Sequence, residues 1–268
     1  MTMTMKPMDT TAYLARIGYA GPLDPNAETL RALHRAHLQA VPFENLDIHL
    51  GKRIVLEEEA LFDKIVRRRR GGFCYELNGL FAALLRDLGF QVTILNALIP
   101  EKHGGWGMRF DHPILLVELE ERWMLDVGFG DAYRVPLKLD DAREQLGPGS
   151  RYRITTDKPG LWKFWELEKG AWEFYYAFTL HPCTLADFFE ACQYYATSPK
   201  SSFTQKELCT RAAVDGHITI TDHRLVITRN GEKEETLLAG RQDVLEALRT
   251  HFGVILPPSG GRMESAAH

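Results

Sequence analysis

Cysteine, long apolar runs and excess positive charge are all scarce in this chain of 268 residues. No segment approaches the roughly 18 apolar residues of a membrane-spanning helix. The first ten residues, MTMTMKPMDT, have no apolar stretch after Lys6 and do not resemble a secretory signal. The cysteines lack the C-x-x-C spacing of redox pairs and metal sites; they are Cys74, Cys183, Cys192 and Cys209. These absences predict a cytoplasmic protein with reduced thiols, no bound metal and no membrane partner.

The charge balance is close to neutral, with 32 basic and 36 acidic side chains and a net charge of -4. A general nucleic-acid binder needs a basic surplus to displace counterions from phosphates. The basic run KIVRRRR at 64–70 is therefore interpreted as the end of a helix, where cations favour the negative dipole. We predict no nucleic-acid partner.

Apolar residues recur with a helical period over the first ninety residues. Asp24-Pro25 supplies a cap and a proline for the first helical position. The helix that follows has one apolar face, formed by Leu30, Leu33, His34, His37 and Leu38. A charged helix is predicted at 56–68, and a well-defined one from Cys74 to the glycine stop at Gly89.

The period changes at about residue 91, where six short apolar segments separated by turns indicate a small barrel or antiparallel sheet. A helix is predicted at 184–196 and another at 242–252, with strands at 217–222 and 224–229 between them. The sequence Asn230-Gly231 indicates a turn, and 257–268 is predicted to be disordered.

Cys74 follows two glycines and begins an amphipathic helix in RGGFCYELNGL at 70–80. Free N–H groups at a helix N-terminus favour a thiolate, and they could also hold the oxyanion of an acyl intermediate. The alternative is that Cys74 is a small buried hydrophobic residue.

A nucleophilic cysteine needs a base and an orienting partner for that base. His112 begins one apolar strand and Asp126 ends the next. A hairpin turning near Glu120-Glu121 with a register of even parity would place both side chains on one face. Read singly, these residues could also be a core histidine and a turn-capping aspartate.

Several linked segments resemble the arylamine N-acetyltransferase family: VPFENLDIH at 41–49, RGGFCYELNGL, a histidine before an apolar strand, and LDVGFG at 125–130. SPKSSFTQ at 198–205 resembles the same family more weakly. The resemblance implies an α+β fold with a cysteine-protease-like catalytic core. Its parts would be a helical domain (1–90) carrying the nucleophile, a β-barrel (91–200) carrying the histidine and aspartate, and an α/β lid (201–256).

The resemblance also implies a ping-pong acetyl transfer that uses acetyl-CoA as co-substrate. Cys74 would be acetylated, His112 would be its base, and Asp126 would orient His112. Arylamines, hydrazines or N-hydroxyarylamines would then take the acetyl group. Asp111 departs from the family pattern, which commonly has a small hydroxyl residue before the histidine.

Further roles follow from the same resemblance. Three aromatic residues would line the acceptor pocket, although each could instead be ordinary core packing: Phe43, Phe129 and Phe203. Gly130 would let CoA pass close to the backbone, and Glu44 would pair with Arg70 to brace the loop before Cys74. The alternatives to an acetyltransferase are a cysteine-dependent hydrolase or transglutaminase-like amidase, and a ligand-binding scaffold that has kept the fold.

Overall fold

The structure is a computed structural model that describes residues 8–101, 104–130 and 133–257. The N-terminal residues 1–7, interpreted above as lacking a signal, lie outside the described residues. So does nearly all of the tail at 257–268 that the sequence predicts to be disordered. Within the described ranges, no helix combines the length and the apolar character needed to cross a membrane.

The first part of the chain is mainly helical. Its elements in order are α1 (Thr10–Ile17), α2 (Ala27–Ala40), the two-residue strand β1 (Phe43–Glu44), α3 (Leu46–His49), α4 (Glu58–Phe62), a π-helical turn (Asp63–Arg67) and α5 (Cys74–Asp87). The sequence predicted α2, the charged helical segment and α5.

Helix α2 begins later than predicted. Its cap is Asn26, whose side chain accepts hydrogen bonds from the N–H groups of Glu28 and Thr29. Asp24-Pro25 lies before that cap, so the predicted start was wrong: Asn26 caps as well as aspartate does and is nearer the first helical residue. The predicted apolar face of α2 is buried.

Helix α5 is the centre of the largest core cluster. It is buried on nearly every side, including at its first three residues, Cys74, Tyr75 and Glu76. Gly89 lies just beyond the helix with a φ of 87°, as the predicted glycine stop requires. A helix surrounded by protein on this scale is held rigidly, and it presents Cys74 from a fixed position.

The middle of the chain forms an eight-stranded antiparallel sheet that curves into a barrel-like shape. Its strands are β2 (Gln91–Leu98), β3 (His112–Glu118), β4 (Arg122–Leu125), β5 (Leu137–Lys138), β6 (Gln145–Gly147), β7 (Ser150–Lys158), β8 (Leu161–Glu168) and β9 (Ala171–Phe178). The order across the sheet is β5-β4-β3-β2-β9-β8-β7-β6. The six predicted strands are confirmed. Strands β5 and β6 were missed because they contain only two and three residues, too few to show an alternating pattern.

The hairpin of β3 and β4 has the predicted register. Glu118 pairs with Arg122 and Leu115 with Leu125. Continuing that register places Asp126 opposite Ile114, two residues from His112. Because side chains alternate along a strand, His112 and Asp126 lie on the same face.

The last part of the chain combines helices with a second sheet. Its elements are a 3₁₀ turn (Leu185–Phe188), α6 (Phe189–Thr197), α7 (Ser202–Gln205), β10 (Leu208–Ala212), β11 (Gly216–Thr221), β12 (Arg224–Arg229), β13 (Glu232–Leu237) and α8 (Arg241–Phe252). The sheet order is β1-β10-β11-β12-β13, so β1 joins it from the first part of the chain. The pairing of Phe43 with Thr210 places the lid-like region against the segment that precedes Cys74.

Candidate active site

One cavity of about 410 Å³ brings together most of the residues that the sequence singled out. Its wall includes Cys74, His112, Phe43, Phe129, Phe203 and Gly130. They come from α5, the start of β3, β1, the loop after β4 and α7. Asp126 stands behind His112 rather than in the wall.

Cys74 is the first residue of α5, and although only 6% of it is exposed, it lines the cavity. Burial raises the pKa of its thiol well above the ordinary range, and nearby carboxylates, Asp111 and Asp126 among them, raise it further. The N–H of Tyr75 lowers it, but does not offset these effects. These effects disfavour the thiolate that the helix N-terminus would otherwise favour, so a nearby base would help this sulfur to lose its proton.

His112 and Asp126 form a buried pair, with His112 Nε2 and Asp126 Oδ2 2.7 Å apart. The carboxylate accepts a hydrogen bond from the ring only if Nε2 carries the proton. Nδ1 is then the nitrogen that can take a proton. The aspartate thus fixes both the ring orientation and the tautomer.

Asn78 holds Asp126 in place and was not identified from the sequence. Its Nδ2 donates to Asp126 Oδ1 at 2.9 Å and to the carbonyl of Pro113 at 2.8 Å, and its Oδ1 accepts from the N–H of Val127 at 3.0 Å. The signal was present in the sequence. Asn78 is four residues after Cys74, so the two side chains share one face of an otherwise apolar helix.

The loop after Asp126 passes very close to Cys74. The N–H of Gly128 donates to Asp126 Oδ1 at 2.8 Å. A Cβ at residue 128 would lie 2.7 Å from the Cα of Cys74, so only glycine allows this approach. His34, on α2, also contacts this segment: its Nε2 is 3.0 Å from the main-chain carbonyl oxygen of Asp126.

A buried ion network underlies the loop before Cys74. Arg70 Nη2 is 2.7 Å from Glu44 Oε1, the pair that the sequence indicated. Asp47 extends it, contacting Arg70 at 3.0 Å and Lys64 at 3.0 Å. Lys64 contacts Glu76 Oε1 at 2.8 Å in turn. Sequence reasoning missed these three residues because charges spread over separate segments give no local pattern.

The three predicted aromatic residues surround the cavity from two sides. The rings of Phe43 and Phe203 are 6.1 Å apart, and the ring of Phe129 meets that of His112 edge-on at 5.0 Å. Phe203 also packs against Phe73 at 5.9 Å. Phe43 and Phe203 therefore belong to the core cluster around α5 and to the cavity wall at once.

The histidine, cysteine and acidic residues within 8–101, 104–130 and 133–257 include no group of three or more arranged to hold a metal ion.

Comparison with known proteins gives consistent matches. A family model described as N-acetyltransferase matches residues 26–259. The curated arylamine N-acetyltransferase / N-hydroxyarylamine O-acetyltransferase of Salmonella typhimurium is 35% identical, covering 91% of this chain and 88% of its own length.

Solved structures agree with the sequence matches. The arylamine N-acetyltransferase structure from Salmonella typhimurium has a TM-score of 0.87 at 34% identity, covering 91% of this chain and 90% of the other. The Mycobacterium marinum arylamine N-acetyltransferase in complex with CoA has a TM-score of 0.85 at 32% identity, covering 92% and 93%.

Proposed function

The chain belongs to the arylamine N-acetyltransferase family and is an acyltransferase, and from this we propose that it moves the acetyl group of acetyl-CoA through a thioester on Cys74 to an arylamine, hydrazine or N-hydroxyarylamine. The observation that carries the proposal is that His112, paired with Asp126 at 2.7 Å, lines the same cavity as Cys74. In this reading Asp126 orients the base, and His112 removes the thiol proton.

The first half-reaction loads the enzyme. The Cys74 proton passes to His112 Nδ1 as the sulfur attacks the thioester carbonyl. The N–H groups of the first turn of α5 are suited to the oxyanion that forms. The bond between the carbonyl and the sulfur of CoA breaks, and CoA leaves with the proton from His112. Because burial raises the pKa of the Cys74 thiol, removal of its proton by His112 assists the attack of the sulfur.

The second half-reaction transfers the acetyl group from Cys74 to the acceptor. The acceptor nitrogen attacks the acetyl carbonyl on Cys74, and His112 takes the proton that the nitrogen loses. The C–S bond breaks, and His112 returns the proton to the sulfur. Both half-reactions use one cavity in turn, which is why one base serves both.

The proposed binding roles follow the cavity wall. Phe43, Phe129 and Phe203 offer flat apolar faces to an aryl ring. Gly130, with a φ of 70°, is proposed to let the CoA thioester approach the backbone. The CoA complex of the Mycobacterium marinum relative supports CoA as the donor here. Glu44 and Arg70 are proposed to brace the loop that presents Cys74.

Release of CoA from acetyl-CoA tests the proposal and separates it from the hydrolase and amidase alternatives. Without an acceptor, we expect a burst of one CoA per chain, followed by little further release. Adding an arylamine should then give steady turnover and acetylated amine. Continuous CoA release without an amine would instead indicate a thioester hydrolase, and no burst would indicate a protein without acyl-transfer chemistry.

A further inference from the structure

Asp111 lies in the wall of the same cavity, directly before His112 in the chain, and carries a carboxyl group. The residue is only 7% exposed. None of the steps above uses this carboxyl group. A charged side chain that is almost fully buried is costly unless it has partners, so the surroundings of Asp111 are informative.

Several groups hold Asp111 in place. The N–H of Ile99 donates to Oδ2 at 3.4 Å, and the nearby Tyr195 side chain lowers the pKa of the carboxyl group. Tyr75 donates its hydroxyl to the Asp111 main-chain oxygen at 2.7 Å. The facing loop leaves room only because residue 107 is glycine: a Cβ there would lie 2.0 Å from Oδ2.

The backbone immediately before Asp111 is strained. Phe110 has a φ of 61°, a left-handed conformation that costs a bulky residue energy. Its ring packs 5.4 Å from that of Phe188, which holds the strained residue in place. The chain therefore turns sharply at 110 before β3 begins at His112. Such outliers persist where the surrounding structure fixes them, often at functional sites.

The cavity wall is acidic in the part of the chain that the structure describes. Glu101 and Asp111 line it, while no lysine or arginine does so there. The pKa of Asp111 is raised overall, because burial and the nearby Glu101 carboxylate outweigh the lowering effects of Tyr195, His112 and the N–H of Ile99. These three groups offset part of the cost that burial imposes on the ionised form.

We propose that Asp111 determines acceptor specificity, favouring arylamines that carry a flat cationic substituent and disfavouring those that carry a carboxylate. This inference rests on the proposed function and names its substrate class. In a site of low effective dielectric, an acceptor cation is attracted to this carboxylate, and an acceptor anion is repelled. An amidinium group matches a carboxylate especially well, because two parallel N–H donors can reach its two oxygens.

Three isosteric acceptors measure the effect: 4-aminobenzamidine, 4-aminobenzamide and 4-aminobenzoate, which are cationic, neutral and anionic at neutral pH. The measured quantity is kcat/KM for each, in the wild type and in Asp111→Asn. Dividing variant by wild type for each compound removes differences in intrinsic amine reactivity. The kcat/KM for 4-aminobenzoate divided by that for 4-aminobenzamidine should be higher in Asp111→Asn than in the wild type, by about tenfold or more. Glu232→Gln, on the exposed strand β13, is the matched control and should leave that ratio unchanged.

The possible outcomes are separable. A fall of equal size for all three acceptors would overturn the inference, because it would show a general effect on the reaction or the fold. Burst release of CoA from acetyl-CoA is measured in the same samples. If the wild type shows no burst, the proposed function fails first, and the inference falls with it; a normal burst with an unchanged ratio overturns the inference alone.

A measurement on the wild type alone guards against an unstable variant. Benzamidine and benzoate have no aryl amine, and each is tested as a competitive inhibitor against 4-aminobenzamide. Benzamidine should bind more tightly by about tenfold or more. Equal inhibition, or tighter binding of benzoate, would contradict the role given to Asp111.

Discussion

Replacing Asn78 with alanine tests how far the site depends on support behind the reacting groups. The substitution removes three hydrogen bonds from a residue that is fully buried. Asp126 Oδ1 still accepts a hydrogen bond from the N–H of Gly128, so Asp126 loses only part of its support. The N–H of Val127 and the carbonyl of Pro113 lose the partners that Asn78 provides.

Leaving a buried polar group unpaired costs about 1–3 kcal/mol, so two such groups give a loss of about 4 kcal/mol in the free energy of unfolding. For a chain of this size, that corresponds to a fall in Tm of about 10 °C. Asp126 also loses one of its anchors, and a small displacement of His112 lowers the rate of Cys74 acetylation by up to about a hundredfold.

Thermal unfolding and single-turnover CoA release measure the two effects on the same sample. Asn26→Ala is the control, since it removes the cap of α2 and costs about 1 kcal/mol without touching the cavity. It should lower Tm while leaving CoA release intact. If Asn78→Ala kept both its Tm and its rate near wild type, the reasoning about support for Asp126 would be refuted.

Two further predictions concern Asp126 and His34. Asp126→Asn keeps the shape but favours the wrong imidazole tautomer, so kcat/KM should fall about 10⁴-fold; near-normal turnover would remove Asp126 from the mechanism. Burial lowers the pKa of His34 from 6.5 to about 4. The unfolded chain then binds more protons between those pH values, so stability falls by about 3 kcal/mol as pH drops through that window. In urea unfolding, His34→Gln should lose less stability over the same window, and an identical pH dependence would contradict this.

The longest helices and most strands could be predicted because their signals are local, whereas the short helices α1, α3 and α7 were not predicted. The buried stripe of α5, the glycine at 89 and the alternation in β2, β8 and β9 all lie within one element. Strand β13, EKEETL, was missed because every residue in it is exposed and no apolar alternation marks it. The strand is held by main-chain pairing with β12, which composition does not reveal.

The site was predictable only in part. His112 and Asp126 could be paired from the parity of one hairpin, because register fixes which face each side chain takes. Asn78 could have been placed beside Cys74 from its spacing on α5. His34 and Tyr195 could not be placed there, because they come from two other helices and reach the site only after packing. The raised pKa of Cys74 also could not be predicted from the sequence. The helix N-terminus favours a thiolate, but burial and nearby carboxylates outweigh it.

The most direct test of the account is the mass of the chain after exposure to acetyl-CoA alone. Peptide mapping should place one acetyl group on Cys74, and adding an arylamine should remove it with recovery of the acetylated amine. Cys74→Ala should gain no acetyl group under the same conditions. An unmodified Cys74 in a protein that still acetylates arylamines, or an acetyl group carried by a different residue, would contradict the account.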